Sequence, residues 1–192
     1  KHHKAMKWQE VPNLYLELQT RNAMAAKALM FTCLTGSRTS EVLKMEWSEV
    51  NLEDHIWTCP AERMKAGVTH RVPLTAEMIE IIEPLQAMAS KFVFEGQKRH
   101  QPLSNMSMLM LLRRMKMEGV TVHGFRSTFR DWVSETTNTP REISEMSLAH
   151  KVGSRVEQAY ARSDLIDKRR LLMERWSQFV ANQQKNIVRI GW

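Results

Sequence analysis

His123 and Arg126 stand three residues apart where Gly124 opens a predicted helix. At that spacing two side chains share one face of the helix. The first turn of a helix offers free N–H groups and the positive end of its dipole, so a His and an Arg there suit an anion. The same pair also has a plain structural reading, as packing and capping groups. Arg38 follows Thr35-Gly36-Ser37 at another predicted helix start, where the alternative is a surface residue or a local ion pair. His150 closes a helix, a place where the dipole favours a cation by simple capping. Tyr160 is one of two tyrosines, and a half-buried ring with a wet hydroxyl needs no chemistry to explain it. Lys65 lies in or near the turn between two short β-prone runs.

The elements that must position these residues read as mostly helical. Helices are predicted over about Val11 to Thr20, with Pro12 tolerated in the first turn, and over about Asn22 to Leu34, ending at Gly36. A third begins with Thr39 or Ser40 as N-cap and turns Val42, Leu43 and Met45 inward. His55 to Cys59 and His70 to Leu74 predict an antiparallel pair, with Phe92-Val93-Phe94 as a third strand. Further helices are predicted at about Ala76–Ala89, Asn105–Lys116, Gly124–Thr136, Arg141–Ala149, Ser154–Ala161 and Asp164–Gln183. The last is led by Ser163-Asp164 and buries Leu165, Leu172, Trp176 and Val180. Ile187 to Ile190 forms a β-prone tail that either frays or adds a strand to a neighbouring molecule.

With 192 residues, 43% apolar and 26% charged, the chain has the composition of one globular domain and not of a disordered segment. Lys+Arg 28 against Asp+Glu 21 gives a net charge of +7, which favours a polyanionic partner without proving one. No uninterrupted apolar run reaches the ~18 residues of a membrane span. The basic start is followed by no apolar run, so no signal peptide is expected. Cys33 and Cys59 read as reduced thiols rather than a disulfide or zinc framework. The fourteen methionines read as core filler.

Taken in order, Arg38, Lys65, His123 with Arg126, His150 and Tyr160 form a pattern that resembles the catalytic domain of the tyrosine recombinases, the phage integrase family. Leu34-Thr35-Gly36-Ser37-Arg38-Thr39-Ser40-Glu41-Val42 is similar to that family's first arginine motif. His123-Gly124-Phe125-Arg126-Ser127-Thr128-Phe129 is similar to its His-x-x-Arg box, and Leu148-Ala149-His150 followed by Tyr160 to its last His and its nucleophile. Glu62-Arg63-Met64-Lys65-Ala66-Gly67, His70-Arg71-Val72-Pro73-Leu74 and Phe129-Arg130-Asp131-Trp132 are closer in wording to integrases of prophages and genomic islands. Gly124-Phe125 replaces the more usual Asp-Leu, and the interval from His150 to Tyr160 is one residue longer than in many relatives.

The resemblance implies a mainly α fold with a small antiparallel β-sheet (α+β). Residues 1–192 are then a single catalytic domain, with a lead-in helix over about residues 1–20 and a tail over 184–192 that packs in trans. On this resemblance, no counterpart of the family's N-terminal DNA-clamping domains is expected within these residues. Double-stranded DNA attachment sites are the implied partner, bound by a tetramer assembled from a monomer or weak oligomer, with accessory DNA-bending or directionality proteins. No cofactor, metal or membrane is implied, and the implied location is the bacterial cytoplasm, associated with the nucleoid. Type IB topoisomerases use similar chemistry on a related fold. A non-catalytic DNA-binding module would share the basic surface. A phosphatase or metal nuclease would need a metal-ligand cluster that the sequence does not offer.

The side chains suit the implied reaction. Attack on a phosphodiester builds charge on its non-bridging oxygens, and Arg38 and Arg126 present planar forks of donors that stay charged. Tyr160, with an ordinary pKa near ~10, must lose its proton during attack, and His123 is a reasonable base. The resemblance assigns Lys65 as the acid for the leaving 5′ oxygen and His150 to the phosphate or to orienting Tyr160. Lys98, Arg99, Arg113, Arg114 and Lys116 lie in a stretch without an acid from Lys98 to Met117, which suits phosphate contacts. Lys168-Arg169-Arg170 is a second basic cluster, read equally as DNA surface or as a solvated face.

Overall fold

The computed structural model describes residues 5–153 and 163–181. Among them, helices α1 (Val11–Gln19), α2 (Met24–Thr35), α3 (Thr39–Leu43), α4 (Ala76–Ile82), α5 (Ser107–Arg114), α6 (Gly124–Thr136), α7 (Arg141–Ser147) and α8 (Ile166–Ala181) surround a sheet of β1 (Val50–Asn51), β2 (Ile56–Cys59) and β3 (His70–Pro73). The sheet is antiparallel in the order β1-β2-β3, with Trp57 opposite Val72 and Cys59 opposite His70. The fold is therefore mainly α with a small antiparallel sheet.

The centre of the core is α2. Its sequence is apolar on every side, as suits a helix surrounded by others, and it packs against α1, α3, α4, α5, α6 and α8. Thr32 and Thr35 are buried in it, and their hydroxyls donate to the carbonyls of Ala28 at 2.7 Å and Phe31 at 2.9 Å, which removes the cost of burying them. Phe31 meets Trp57 of the sheet and Phe94. A second aromatic group joins Trp132 of α6 to Trp176 and Phe179 of α8. Trp176 is fully buried and its indole N–H donates to Cys33 O at 2.9 Å, fixing α8 to α2. Both cysteines are buried and free. Met30, Met45, Met64, Met78, Met108 and Met173 are core residues, whereas Met88, Met106 and Met110 are exposed.

The antiparallel pair forms as the sequence predicts, but its third strand is Val50–Asn51 and not Phe92–Phe94. Phe92 makes only a single bridge to Glu46, while Val93 and Phe94 are buried in an irregular segment. Burial of apolar side chains, and not strand pairing, accounts for the β-like wording there. The helix predicted from Ala76 to Ala89 tightens into a 3-10 turn at Glu83, next to Pro84. Residues predicted as the helix Ser154–Ala161, the β-prone tail and Tyr160 lie outside the described residues. No described helix is long and apolar enough to cross a membrane.

Candidate active site

Arg38 owes its position to the end of α2. Gly36 adopts φ 62, and its N–H closes the helix on Thr32 O at 2.9 Å. That left-handed conformation favours glycine. A Cβ there would also come within 2.8 Å of Leu148 Cδ2. The chain then turns directly into α3, with Arg38 as the N-cap residue. The Glu41 carboxylate accepts both the Arg38 backbone N–H and its Nη1, each at 2.8 Å. Arg63, in the 3-10 turn that precedes Lys65, donates to the Glu41 carbonyl and pairs with Glu49.

Arg126 sits in the first turn of α6 and is 4% exposed. Its Nη1 donates to Gly36 O at 2.6 Å, and its Nη2 to Leu148 O at 2.6 Å. The guanidinium thus ties the end of α2 to the end of α7. Nη2 also lies 2.9 Å from His150 Nε2. An arginine can only donate, so Nε2 is the acceptor, and the ring proton sits on Nδ1. That proton meets Glu145 Oε2 at 2.6 Å.

The position of His150 has a local cause. Helix α7 ends with Ala149 at φ 52, Ala149 N–H on Met146 O and His150 N–H on Glu145 O. This is the Schellman arrangement with a left-handed residue that is not glycine. It folds His150 back over Glu145.

Arg126 and Arg38 are close enough to repel. Burial lowers the Arg126 pKa first, and the Arg38 charge adds to it, against Glu41 and Glu145, to leave it at about 10. The guanidinium remains charged at neutral pH. Two like charges held together on a rigid frame form a site that an anion would stabilise.

His123 is the N-cap residue of α6, exposed, and one turn before Arg126. Lys65 is exposed in the segment between β2 and β3. The structure therefore joins Arg38, Arg126 and His150 and sets His123 beside them on α6, while Lys65 lies on the exposed segment that links β2 to β3. Lys98, Arg99, Arg113, Arg114 and Lys116 are all exposed, and Lys98 and Arg114 line one groove with Met106 and Met110. The second basic cluster is not a uniform surface. Arg169 is 1% exposed and bonded within the fold, and Arg170 donates to the carbonyls of His55 and Asp54.

Three residues of the site were not singled out from sequence. Glu41 stands three after Arg38, the capping-box spacing. Glu145 is five before His150, a spacing with no helical meaning. His70 has the same strand parity as buried Val72. Its pKa is lowered to about 3, first by burial and then by Arg169, Arg126 and Arg38, against a hydrogen bond with the Ser147 backbone.

His70 thus stays neutral in the folded chain. Below the unfolded value of ~6.5, the unfolded chain takes up a proton that the folded chain refuses, so stability falls with pH between ~6.5 and about 3 by up to ~1.4 kcal/mol per unit. Urea unfolding at pH 6.5 and pH 5 is expected to show that loss in the parent chain and a smaller one in His70→Gln.

A match to the phage integrase family covers residues 4–165. The chain is 31% identical over 177 residues to the prophage integrase IntA of Escherichia coli, covering 89% of this chain and 43% of that protein. It is 32% identical over 162 residues to the integrase of Shigella phage Sf6, covering 82% and 41%. The chain belongs to the phage integrase family, the tyrosine recombinases. It spans less than half the length of these curated relatives.

The fold is shared with solved structures. One is a lambda integrase tetramer bound to a Holliday junction, with a TM-score of 0.62 at 20% identity over 85% of this chain and 49% of that one. Another is the integrase from mycobacterium phage Brujita, with a TM-score of 0.63 at 16% identity over 94% and 63%.

Proposed function

We propose that this chain is the catalytic part of a site-specific DNA recombinase that integrates or excises a prophage or genomic island. The observation that carries the reading is the preformed anion site, Arg126 buried beside Arg38 with His150 held by Glu145. Arg38 and Arg126 receive the scissile phosphate and stabilise the charge that develops on it. Tyr160 attacks the phosphorus, and its proton passes to His123. The 5′ oxygen leaves with a proton from Lys65. His150, held by Glu145, hydrogen-bonds the phosphate or orients Tyr160.

The product is a 3′-phosphotyrosine and a free 5′-hydroxyl. The linkage conserves bond energy, so a second 5′-hydroxyl can reverse the step on the same or an exchanged strand without ATP. The arginines supply the charge stabilisation that a metal ion would otherwise give, so the reaction needs no metal. The working state on DNA is a tetramer, as in the solved lambda integrase complex on a Holliday junction, with accessory proteins that bend DNA or set direction. The working location is the cytoplasm, on the nucleoid.

The test is strand cleavage of candidate attachment-site duplexes in EDTA, with the new ends labelled. A free 5′-hydroxyl and a protein-blocked 3′ end support the reading. Binding without cleavage would leave a DNA-binding module, and EDTA-sensitive cleavage would indicate a metal nuclease.

The exposed residues Lys98, Arg99, Arg113, Arg114 and Lys116 are proposed to lie on the phosphate backbone. Replacing Arg113, Arg114 and Lys116 with Gln is expected to weaken binding to all duplexes alike. The slope of log affinity against log salt should fall by about 0.9 for each lost phosphate contact. Fluorescence anisotropy across a salt series checks this, and an unchanged slope would remove these residues from the interface.

A further inference from the structure

The turn that leads into α8 is held to the sheet by a compact set of charged groups that the proposed reaction does not use directly. Arg71 of β3 grips Asp164 with both arms of its fork, Nε to Oδ2 at 2.8 Å and Nη2 to Oδ1 at 2.7 Å. Arg169, in the first turn of α8, donates Nη1 to the Asp164 carbonyl at 3.1 Å and Nη2 to the Arg71 carbonyl. Between these anchors Leu165 takes φ 53, a left-handed conformation that side chains rarely adopt. Arg170 adds bonds to the carbonyls of His55 and Asp54, so one short stretch of α8 holds both the β1–β2 turn and β3.

This placement runs against local preference. A cation in the first turn of a helix opposes the dipole. Arg169 is almost fully buried, and its Nε has no hydrogen-bond partner among the described residues. Its spacing to Leu172, Met173 and Trp176 puts it on the apolar face of α8, where a Leu or Met would pack without that cost. A charge kept there is consistent with a demand on the exact geometry of the turn.

The location indicates what the demand is. Asp164 lies four residues after Tyr160 in the chain, so the turn fixes one end of the segment that bears the hydroxyl. The strand that holds it also carries His70, which lies against the Ser147 backbone of α7 and within the field of Arg126 and Arg38. One strand therefore fixes the α7 side of the anion site through residue 70 and the start of α8 through residue 71.

We propose that Arg71, Asp164 and Arg169 form a clamp that positions Tyr160 against the phosphate held by Arg38 and Arg126, a role that rests on the reading of Tyr160 as nucleophile. These are positioning residues. They act through the chain between Asp164 and Tyr160 and do not touch the reacting atoms.

The test uses Asp164→Ala, Arg71→Ala and the double variant in the full chain. The Arg71 and Asp164 side chains are 43% and 34% exposed, so these variants should fold. Removing an acid cannot remove a phosphate contact, so Asp164→Ala separates positioning from DNA binding. The substrate is a nicked attachment-site duplex at saturating concentration, with adduct formation followed in time and DNA affinity measured in parallel.

Each single variant is expected to lower the rate constant about 10- to 100-fold, the scale of a misplacement of about 1 Å. Affinity should stay within about twofold for Asp164→Ala, and the double variant should be no slower than the worse single one. A loss of active fraction at unchanged rate constant would mark a merely structural role and overturn the clamp. A parental rate constant in Asp164→Ala would also overturn it and leave the nucleophile assignment standing. Failure of the parent chain to form any adduct on Tyr160, with the duplex bound, would overturn the assignment and the clamp together.

Discussion

Tyr160→Phe is expected to bind DNA as the parent chain does and to form no covalent adduct. The substitution removes one oxygen and keeps the ring, so the phosphate contacts proposed for Arg38, Arg126 and the basic surface are untouched. No other group replaces a missing nucleophile in covalent catalysis, and losses on the order of 10⁴- to 10⁶-fold are typical when one is deleted. The other tyrosine, Tyr15, cannot substitute. It is 3% exposed in α1 and its pKa is raised, first by burial and then by Glu77, so its hydroxyl resists deprotonation. Mobility shifts alongside denaturing gels check both halves. Adduct at parental yield in Tyr160→Phe would overturn the assignment.

Arg126→Lys is expected to lower cleavage by about 10²- to 10³-fold, the range seen when one preorganised donor to a developing charge is lost. A lysine keeps the charge, but it cannot span Gly36 O, Leu148 O and His150 at once as the fork does. Two carbonyls then lose their partner in a buried place, so stability should also fall, by about 1–3 kcal/mol for each carbonyl left unpaired. Arg38→Lys offers the contrast. The Arg38 side chain is 19% exposed and its partner is the single carboxylate of Glu41, so a similar loss in cleavage should come with a smaller loss in stability. Urea unfolding and the rate constant of the folded fraction separate the effects. Equal stability losses with undiminished cleavage would make both arginines structural.

Much of this arrangement was legible in the sequence where a local rule had one outcome. Gly36 ends α2 because φ 62 is cheap only for glycine, and Gly124–Thr136 is the helix α6. The alternating pair β2 and β3 appears because Trp57 and Val72 share a buried face. Tertiary effects account for the rest. Phe92–Phe94 reads as a strand, yet it is a buried irregular segment. The real third strand, Val50–Asn51, is too short to show alternation.

Arg38, Arg126 and His150, far apart in the chain, come together at the ends of α2 and α7 and the start of α6. Glu145 was not legible, because it reaches His150 through the left-handed turn at Ala149 and not along a helix face. Arg169 carried a readable signal in its spacing to Leu172, Met173 and Trp176, which outweighs the exposed appearance of three consecutive cations.

The most direct test of the central claim is covalent trapping on a nicked duplex, in which cleavage releases a short strand and cannot reverse. The expected result is a protein–DNA adduct formed in EDTA, with the linked nucleotide mapped by mass to the peptide that contains Tyr160. An adduct mapped to any other residue, or tight binding with none at all, would contradict it.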